Sequence, residues 1–302
     1  MALDALSKGD PRWQDVCAAW EAAGLFFLEE PDRWAVVDGP GWLTRRRVLD
    51  AAAAVPASWD WAWRVRQVVP TTMTVARVEL MQAAGPVAVL ADRQTRGRGR
   101  RGRRWASSPG AGLHLSLGWR PAADAVAAGA LTLRVGLAAA EAIQEVTGVD
   151  LGLKWPNDGL WNGQKVMGVL CEGGSYPKPW VVAGIGMNVS GAPPPGILGA
   201  TTLQAITGRP WSRAALAAAI AAAVARECSR TDDSWFGKYQ VRSDGVTLGQ
   251  RVQVFGAGAP AYEARAEAVD HAGALWVRRA DNTRVRVTAG DVSIRPPVGR
   301  RE

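Results

Sequence analysis

The chain has 302 residues, of which 48% are hydrophobic and 21% are charged. This length allows about two domains with a sizeable core, and the composition excludes a disordered chain. No apolar run reaches the roughly 18 uncharged residues that a membrane helix needs, and the N-terminus lacks the apolar stretch of a signal peptide. The three cysteines, Cys17, Cys171 and Cys228, are far apart and predict neither a disulfide framework nor a metal cluster. We therefore expect a soluble, cytoplasmic protein.

The charge is unevenly distributed along the chain. Residues 1–60 hold six basic and ten acidic side chains, a net charge of −4, whereas residues 61–302 hold 30 and 18, a net charge of +12. Much of this excess lies in residues 92–105, which contain seven arginines and one aspartate. Such a concentrated cationic segment implies an anionic partner, either a nucleic acid or a small phosphorylated ligand.

The first sixty residues have the pattern of a small separate unit. A helix is predicted over residues 10–24, because Asp10 is a capping residue and Pro11 suits the first helical position. Two short strands are predicted within residues 25–37 and a second helix within 43–54. One interpretation of this order is a degenerate winged helix, although the acidic balance disfavours DNA as its partner.

From about Trp63 the pattern alternates between strands and helices. The predicted elements are strands 87–92 and 113–119, helix 131–147 ended by Gly148, a hairpin turning at Asn162-Gly163 with 166–171 as its second strand, strand 181–189, and helix 213–229 capped by Ser212.

The last sixty residues change period again. Short alternating strands separated by turns extend from Gly245 to Arg295 and predict a small antiparallel barrel. The predicted fold class is therefore α+β, with a central mixed sheet, a small C-terminal β-barrel and a short N-terminal extension.

The segment GRGRRGR, residues 97–103, has the composition of an anion-binding loop. Its glycines free the backbone to bend, and its arginines supply forked donors that match phosphate and carboxylate oxygens. The spacing fits neither a phosphate-binding GKS/GKT loop nor a dinucleotide-binding turn. A solvated arginine loop or an RNA-binding tract remains an alternative, and Trp105 offers an aromatic face for a base in either case.

The segment KWPND, residues 154–158, is followed at Lys165 by KVMGVLCE. Lys154 and Lys165 are expected at the ends of a short hairpin. An ammonium group near a phosphate or carboxylate stabilises the charge that shifts during acyl-adenylate formation; the alternative is a hairpin whose lysines face water. With only two histidines, His114 and His271, a catalytic triad or a zinc site is disfavoured.

Taken in order, GRGRRGRRW, KWPND, KVMGVLCE, GIGMN and GDVSIR resemble the biotin protein ligase family. The resemblance extends over about Thr71–Arg295, and WFGKYQVRSDGVTLGQRVQV is similar to the start of that family's SH3-like barrel. It implies three domains: an N-terminal extension (1–62), a catalytic domain (63–240) and the barrel (241–302). It also implies two steps, in which biotin and Mg-ATP form biotinyl-5′-AMP and the biotinyl group then passes to a lysine of a biotin carboxyl carrier protein.

The resemblance assigns site residues by position. Lys165 and Arg100 are the implied catalytic residues. The implied biotin-binding residues are Thr71, Thr72, Met73, Gln94, Arg98, Gly99, Arg100 and Lys165. The implied nucleotide-binding residues are Arg98, Arg100, Arg101, Arg103, Trp105, Lys154, Asn157, Asp158, Lys165, Asn188 and Arg295. No protein-bound metal site is implied apart from the Mg²⁺ that accompanies ATP.

One segment departs from the family pattern. Where the family usually has Asp-Ser-Thr-Asn, this chain has Pro70-Thr71-Thr72-Met73, so a thioether replaces a side-chain amide. A lipoate or octanoate ligase is therefore one alternative, and a biotin-responsive DNA-binding repressor is a second. A monomer or a homodimer is equally compatible with the sequence, and no membrane partner is expected.

Overall fold

The computed structural model describes residues 43–106, 110–121, 128–176, 178–191, 199–255 and 260–288, and the backbone of 27–29, 34–36 and 291–294. The helices are α1 (Arg45–Ala53), α2 (Thr72–Gln82), α3 (Ala128–Thr147), α4 (Leu203–Thr207), α5 (Arg213–Ser229) and α6 (Ser234–Ser243). The strands are β1 (Phe27–Glu29), β2 (Trp34–Val36), β3 (Ala62–Val69), β4 (Val87–Gln94), β5 (Gly112–Trp119), β6 (Gly152–Lys154), β7 (Asp158–Trp161), β8 (Gln164–Gly174), β9 (Trp180–Asn188), β10 (Arg251–Phe255), β11 (Tyr262–Val269), β12 (Leu275–Arg278), β13 (Arg284–Val287) and β14 (Asp291–Ile294).

Seven strands form one mixed sheet in the order β3-β4-β5-β9-β8-β7-β6. Strands β3 and β4 are parallel and are connected through α2, whereas the other neighbouring pairs are antiparallel. The parallel pair needs a crossover, which α2 supplies, and the remaining pairs are joined by hairpins or longer connections. The mixed central sheet expected from the sequence is confirmed.

The two faces of this sheet have different partners. Along β4, Ala88 and Leu90 belong to the main core, whereas Val87 and Val89 pack with α2. Since successive side chains of a strand point to opposite faces, α2 lies on one face and the large core lies on the other. The long helices α3 and α5 pack against each other in that core.

The helix ends follow local capping chemistry. Ser212 caps α5 by accepting a hydrogen bond from the backbone N–H of Ala215, as its position predicts. Helix α3 starts three residues before the predicted start and ends at Thr147, where Gly148 has a positive φ of 76°. The hairpin turn at Asn162-Gly163 is confirmed, with φ values of 47° and 76°.

The N-terminal predictions are met in part. The strand pair β1–β2 is present and antiparallel, and α1 occupies the predicted helical region before Pro56. Leu43 and Val48 are buried in the main core, so α1 is packed onto the central domain. The helix predicted over residues 10–24 lies outside the described residues.

The C-terminal strands form a five-stranded antiparallel sheet in the order β13-β12-β11-β10-β14. The predicted strands are therefore present. Pairing between the edge strands β13 and β14, which would close a barrel, is not found within the described residues. Over that same part of the chain, no helix is both long and apolar enough to span a membrane.

Candidate active site

A cavity of about 190 Å³ lies on the face of the central sheet that carries α2. Strand β9 forms the floor of the cavity. Its side chains alternate between the two faces of the sheet: Val182 packs with α2 on the cavity face, whereas Ile185 and Met187 belong to the main core on the other face. Gly184, Gly186 and Asn188 share the parity of Val182 and line the cavity. The small residues at 184 and 186 leave the sheet surface open to a ligand.

The inner end of the cavity is polar and buried. Thr71 and Thr72 are 6% and 3% exposed at the start of α2. The backbone N–H of Thr72 donates to Gln94 Oε1 over 2.8 Å, and the Thr72 hydroxyl lies 2.8 Å from the Ser116 hydroxyl. These contacts orient the Gln94 side chain at the end of β4.

Met73 lies beside this polar cluster and is 4% exposed. A Cβ added at Gly184 would come within 2.8 Å of Met73 Cγ and Sδ. The thioether is therefore packed directly on the sheet, and glycine at 184 is what makes room for it.

The arginine-glycine segment forms a closed hairpin above the cavity. Arg98 and Arg104 are bridged antiparallel, and the backbone N–H of Gly99 donates to Arg103 O over 2.7 Å. The turn uses positive φ values at Arg101 and Gly102, 53° and 72°. Glycine suits this geometry at 102 because it carries no Cβ.

Three arginines fix this hairpin to different parts of the molecule. Arg98 forms an ion pair of 3.1 Å with Glu172 of β8. Arg104 donates to the carbonyl of Thr95, and Arg101 donates over 3.1 Å to the carbonyl of Phe255 in the C-terminal sheet. Arg101 thus contacts the C-terminal sheet and does not line the cavity.

Trp105 follows the hairpin and lies flat on the sheet. A Cβ at Gly186 would meet its ring at 2.5 Å, and a Cβ at Gly168 would meet it at 3.0 Å. These two glycines on neighbouring strands form a slot that holds the indole. Lys165 Nζ lies 5.4 Å from the indole centroid.

Lys165 is held by a carboxylate and by backbone contacts. Its Nζ is 2.6 Å from Asp158 Oδ1, and the two side chains are 32% and 21% exposed. The Asn188 amide donates to the carbonyl of Lys165 over 3.3 Å. The KWPND turn is fixed separately, since the Asn157 amide donates to the carbonyl of Val169 over 3.0 Å. The cavity therefore presents a positioned ammonium group beside an aromatic slot.

A buried ion pair supports the wall behind the hairpin. Arg213 Nη2 lies 2.7 Å from Asp92 Oδ1, and both side chains are almost fully buried. Arg213 also donates to the carbonyl of Gly112. Burial, together with the positive charge of Arg213, lowers the pKa of the cavity-lining His114 to about 4, so this histidine is neutral at pH 7.

The structure brings most of the expected site residues to this cavity. Those that line it are Thr71, Thr72, Met73, Gln94, Arg98, Gly99, Arg100, Arg103, Trp105, Asn157, Asp158, Lys165 and Asn188. Lys154 pairs with Asp158 across β6–β7 but lines a smaller cavity behind the site, and Arg295 lies outside the described residues.

Sequence reasoning missed the cavity-lining glycines Gly168, Gly184 and Gly186, as well as Ser116, His114 and the Asp92–Arg213 pair. The alternation of small residues in GIGMN was a usable signal for the glycines at 184 and 186. No local pattern joins Asp92 to Arg213, because 121 positions separate them in the chain.

Two family models match the chain. Residues 65–188 match the Biotin/lipoate A/B protein ligase family, and residues 247–295 match the Biotin protein ligase C terminal domain. A biotin–[acetyl-CoA-carboxylase] ligase from Mycobacterium tuberculosis is 35% identical over 246 residues, which cover 76% of this chain and 89% of that protein.

Solved structures with the same fold include ligand complexes. A biotin protein ligase from Aquifex aeolicus, in complex with biotin and ATP, matches with a TM-score of 0.66 at 29% identity, covering 77% of this chain and 98% of that one. The biotin protein ligase from Leishmania major, in complex with biotinyl-5-AMP, matches with a TM-score of 0.55 at 29% identity, covering 75% and 98%. Together with the two family models in chain order, the relative matched over three quarters of this chain shows that the chain belongs to the biotin protein ligase family.

Proposed function

We propose that this chain activates biotin with ATP and transfers the biotinyl group to a lysine of a biotin carboxyl carrier protein. The observation that carries this proposal is the Lys165–Asp158 pair at 2.6 Å beside the Trp105 slot, beneath the arginine hairpin. An ammonium group, several guanidinium groups and an aromatic ring in one cavity suit an acid and a nucleotide that must meet there.

The reaction has two displacement steps. In the first, an oxygen of the biotin carboxylate attacks the α-phosphorus of ATP, the α–β phosphoanhydride bond breaks and pyrophosphate leaves. In the second, the carrier lysine amine attacks the acyl carbon, the acyl–phosphate bond breaks and AMP leaves. Both steps shift negative charge among oxygens, and fixed cations stabilise that shift without forming a covalent intermediate.

Each residue of the cavity has a proposed role that follows from its position. Lys165 and Arg100 act where the carboxylate and α-phosphate meet, and Thr72 and Gln94 bind the far end of the acid. Trp105 and Asn188 bind the adenine. Arg98 and Gly99 cover the adenylate, which protects the mixed anhydride from water.

Magnesium enters with ATP in this proposal. Within the described residues no three His, Cys, Asp or Glu side chains gather as a metal site. The nucleotide phosphates would hold most of the ion's coordination, and the ion would neutralise their charge.

The proposal extends to organisation and place. The chain divides into the N-terminal extension 1–62, the catalytic domain 63–240 and the C-terminal domain 241–302, and α1 of the extension is packed on the catalytic core. The C-terminal domain contributes to the site through Arg295. The protein acts in the cytoplasm, as a monomer or a homodimer, on the carrier domain of a biotin-dependent carboxylase.

A lipoate or octanoate ligase is the second candidate, because of Met73. Its thioether is buried beside Thr72 and cannot donate a hydrogen bond. A ureido group left without a partner there would cost about 1–3 kcal/mol, whereas lipoate and octanoate carry no ureido group. We expect Met73→Asn to lower the KM for biotin by about five- to tenfold, because the Asn amide supplies the missing donor.

The test is pyrophosphate exchange into ATP with biotin, lipoate, octanoate or no acid. Lys165→Ala should lower biotin-dependent exchange by about 10²–10³-fold, since it removes a charged donor at the reacting centre. Lys178→Ala removes an exposed lysine away from the cavity and serves as the matched control. Exchange with lipoate or octanoate but not biotin would replace the proposed acid, and no exchange with any acid would refute the ligase.

A further inference from the structure

A second, smaller cavity lies directly behind the candidate active site. Its volume is about 10 Å³, and this rear cavity is lined by residues of α3 and α6, of strands β6, β7 and β8, and of the turn between β6 and β7. Asn157 and Asp158 line both this cavity and the active-site cavity. These two residues are therefore the wall between the two spaces.

Tyr239 of α6 contributes a buried hydroxyl to the rear cavity. The residue is 2% exposed, and its hydroxyl forms no hydrogen bond of normal geometry with any described residue. Burial raises the pKa of Tyr239, contact with the Ser243 hydroxyl, which likewise forms no hydrogen bond of normal geometry, lowers it, and the charge of Asp158 raises it, so the phenol stays protonated. A buried donor without a partner is unfavourable, and such groups are commonly satisfied by ordered water.

The rear cavity has the size and the lining for one water molecule. A single water needs on the order of 10–15 Å³ and two to four polar partners. The Tyr239 hydroxyl, the Asp158 carboxylate and the Thr132 hydroxyl belong to residues that line it. A purely apolar cavity of this size would stay empty, but this one is not apolar.

We propose that one ordered water occupies the rear cavity and carries a hydrogen bond from the Tyr239 hydroxyl to the Asp158 carboxylate. Tyr239 is then a positioning residue: it holds Asp158, and Asp158 holds Lys165 Nζ at 2.6 Å. This role in the reaction rests on the proposed function, whereas the water itself does not.

The positioning has a physical consequence for rate. Asp158 is only partly buried, and its carboxylate would rotate more freely without an anchor on its second side. Displacing a reacting group by about 1 Å can lower the rate by up to about 10²-fold. Loss of the Tyr239 hydroxyl should therefore lower kcat and leave KM nearly unchanged.

The experiment compares Tyr239→Phe with the wild-type chain. We expect kcat for biotin-dependent pyrophosphate exchange to fall about three- to tenfold, as loss of one ordinary hydrogen bond implies, with KM for biotin and ATP changed by less than about twofold. Tyr262→Phe, which removes the same hydroxyl from the C-terminal sheet, is the matched control and should keep the wild-type kcat. Thermal unfolding of both variants is measured to check that they are folded.

A double-mutant cycle separates positioning from a general structural effect. In the Asp158→Asn background, Tyr239→Phe should cause little further loss, because the hydroxyl acts through the carboxylate. Equal losses in both backgrounds, or full kcat in Tyr239→Phe, would overturn the positioning role.

A crystal structure of the full chain tests the water independently of activity. We expect density for one water within hydrogen-bond distance of the Tyr239 hydroxyl and Asp158, and its loss in Tyr239→Phe. An empty rear cavity in a well-ordered wild-type crystal would overturn the inference. Absence of exchange in the wild-type enzyme would instead refute the proposed function and leave the crystallographic result to decide the water.

Discussion

Replacing Gly186 by alanine should displace Trp105 from its slot. The added Cβ would lie 2.5, 2.7 and 3.0 Å from Cε2, Cζ2 and Cδ2 of the indole, whereas carbon atoms in contact are about 3.5–4.0 Å apart. The ring must therefore move by about 1 Å, and it must move away from the sheet, because the backbone at Gly168 and Gly186 lies beneath it. Base stacking on an aromatic ring is worth about 1–3 kcal/mol, so KM for ATP should rise about 5- to 150-fold.

The assay is pyrophosphate exchange with varied ATP at saturating biotin, together with the free energy of unfolding. Gly237→Ala in α6 is the matched control, since its Cβ would meet nothing within 4 Å. It should leave KM for ATP unchanged and stabilise the fold by about 0.5–1 kcal/mol, because alanine favours a helix over glycine. A KM for ATP in Gly186→Ala within about twofold of wild type would refute the assignment of the Trp105 ring to the adenine.

Two further predictions concern stability. His114 has a pKa of about 4 in the folded chain against 6.5 when unfolded, so the unfolded state binds the extra proton between these values and stability falls as pH drops from about 6.5 to 4. The gap between these two pKa values amounts to about 3 kcal/mol of unfolding free energy, a loss that His114→Gln should abolish. Denaturant titrations of both proteins at pH 4 and pH 7 measure the loss. An equal loss in His114→Gln and wild type would contradict the role of His114. Arg134 forms a buried ion pair of 2.8 Å with Glu227, so Arg134→Ala should cost about 3–5 kcal/mol of unfolding free energy. Lys238→Ala breaks a half-exposed pair and should cost less than about 1 kcal/mol, and equal losses in the two variants would show that burial does not decide the cost.

Much of the secondary structure followed from local signals. Ser212 and Gly148 end their helices where predicted, because capping depends on a few adjacent residues. The turn at Asn162-Gly163 was predictable for the same reason, since its positive φ values select those residue types. The helix predicted over residues 10–24 and the role of Arg295 stay predictions.

The candidate site was predictable only where its chemistry lies in short motifs. The arginine-glycine segment was identified by its local composition, whereas Lys165 and Asp158 were assigned by the resemblance of their short motifs to the family; all three line the cavity. Lys154 shares such a motif, yet its strand position directs it to the rear cavity. A motif therefore indicates which segment contributes to a site, but not which of its side chains reaches the ligand.

The sequence by itself determined the strand and helix order, the cationic segment and the family to which the chain belongs. Those properties depend on neighbouring residues, which the linear order preserves. Only the tertiary structure placed Gly168 and Gly186 under Trp105, Arg213 beside Asp92, and Tyr239 behind Asp158. These contacts join positions far apart in the chain, and packing of the two sheet faces, rather than any local preference, decides which of them meet.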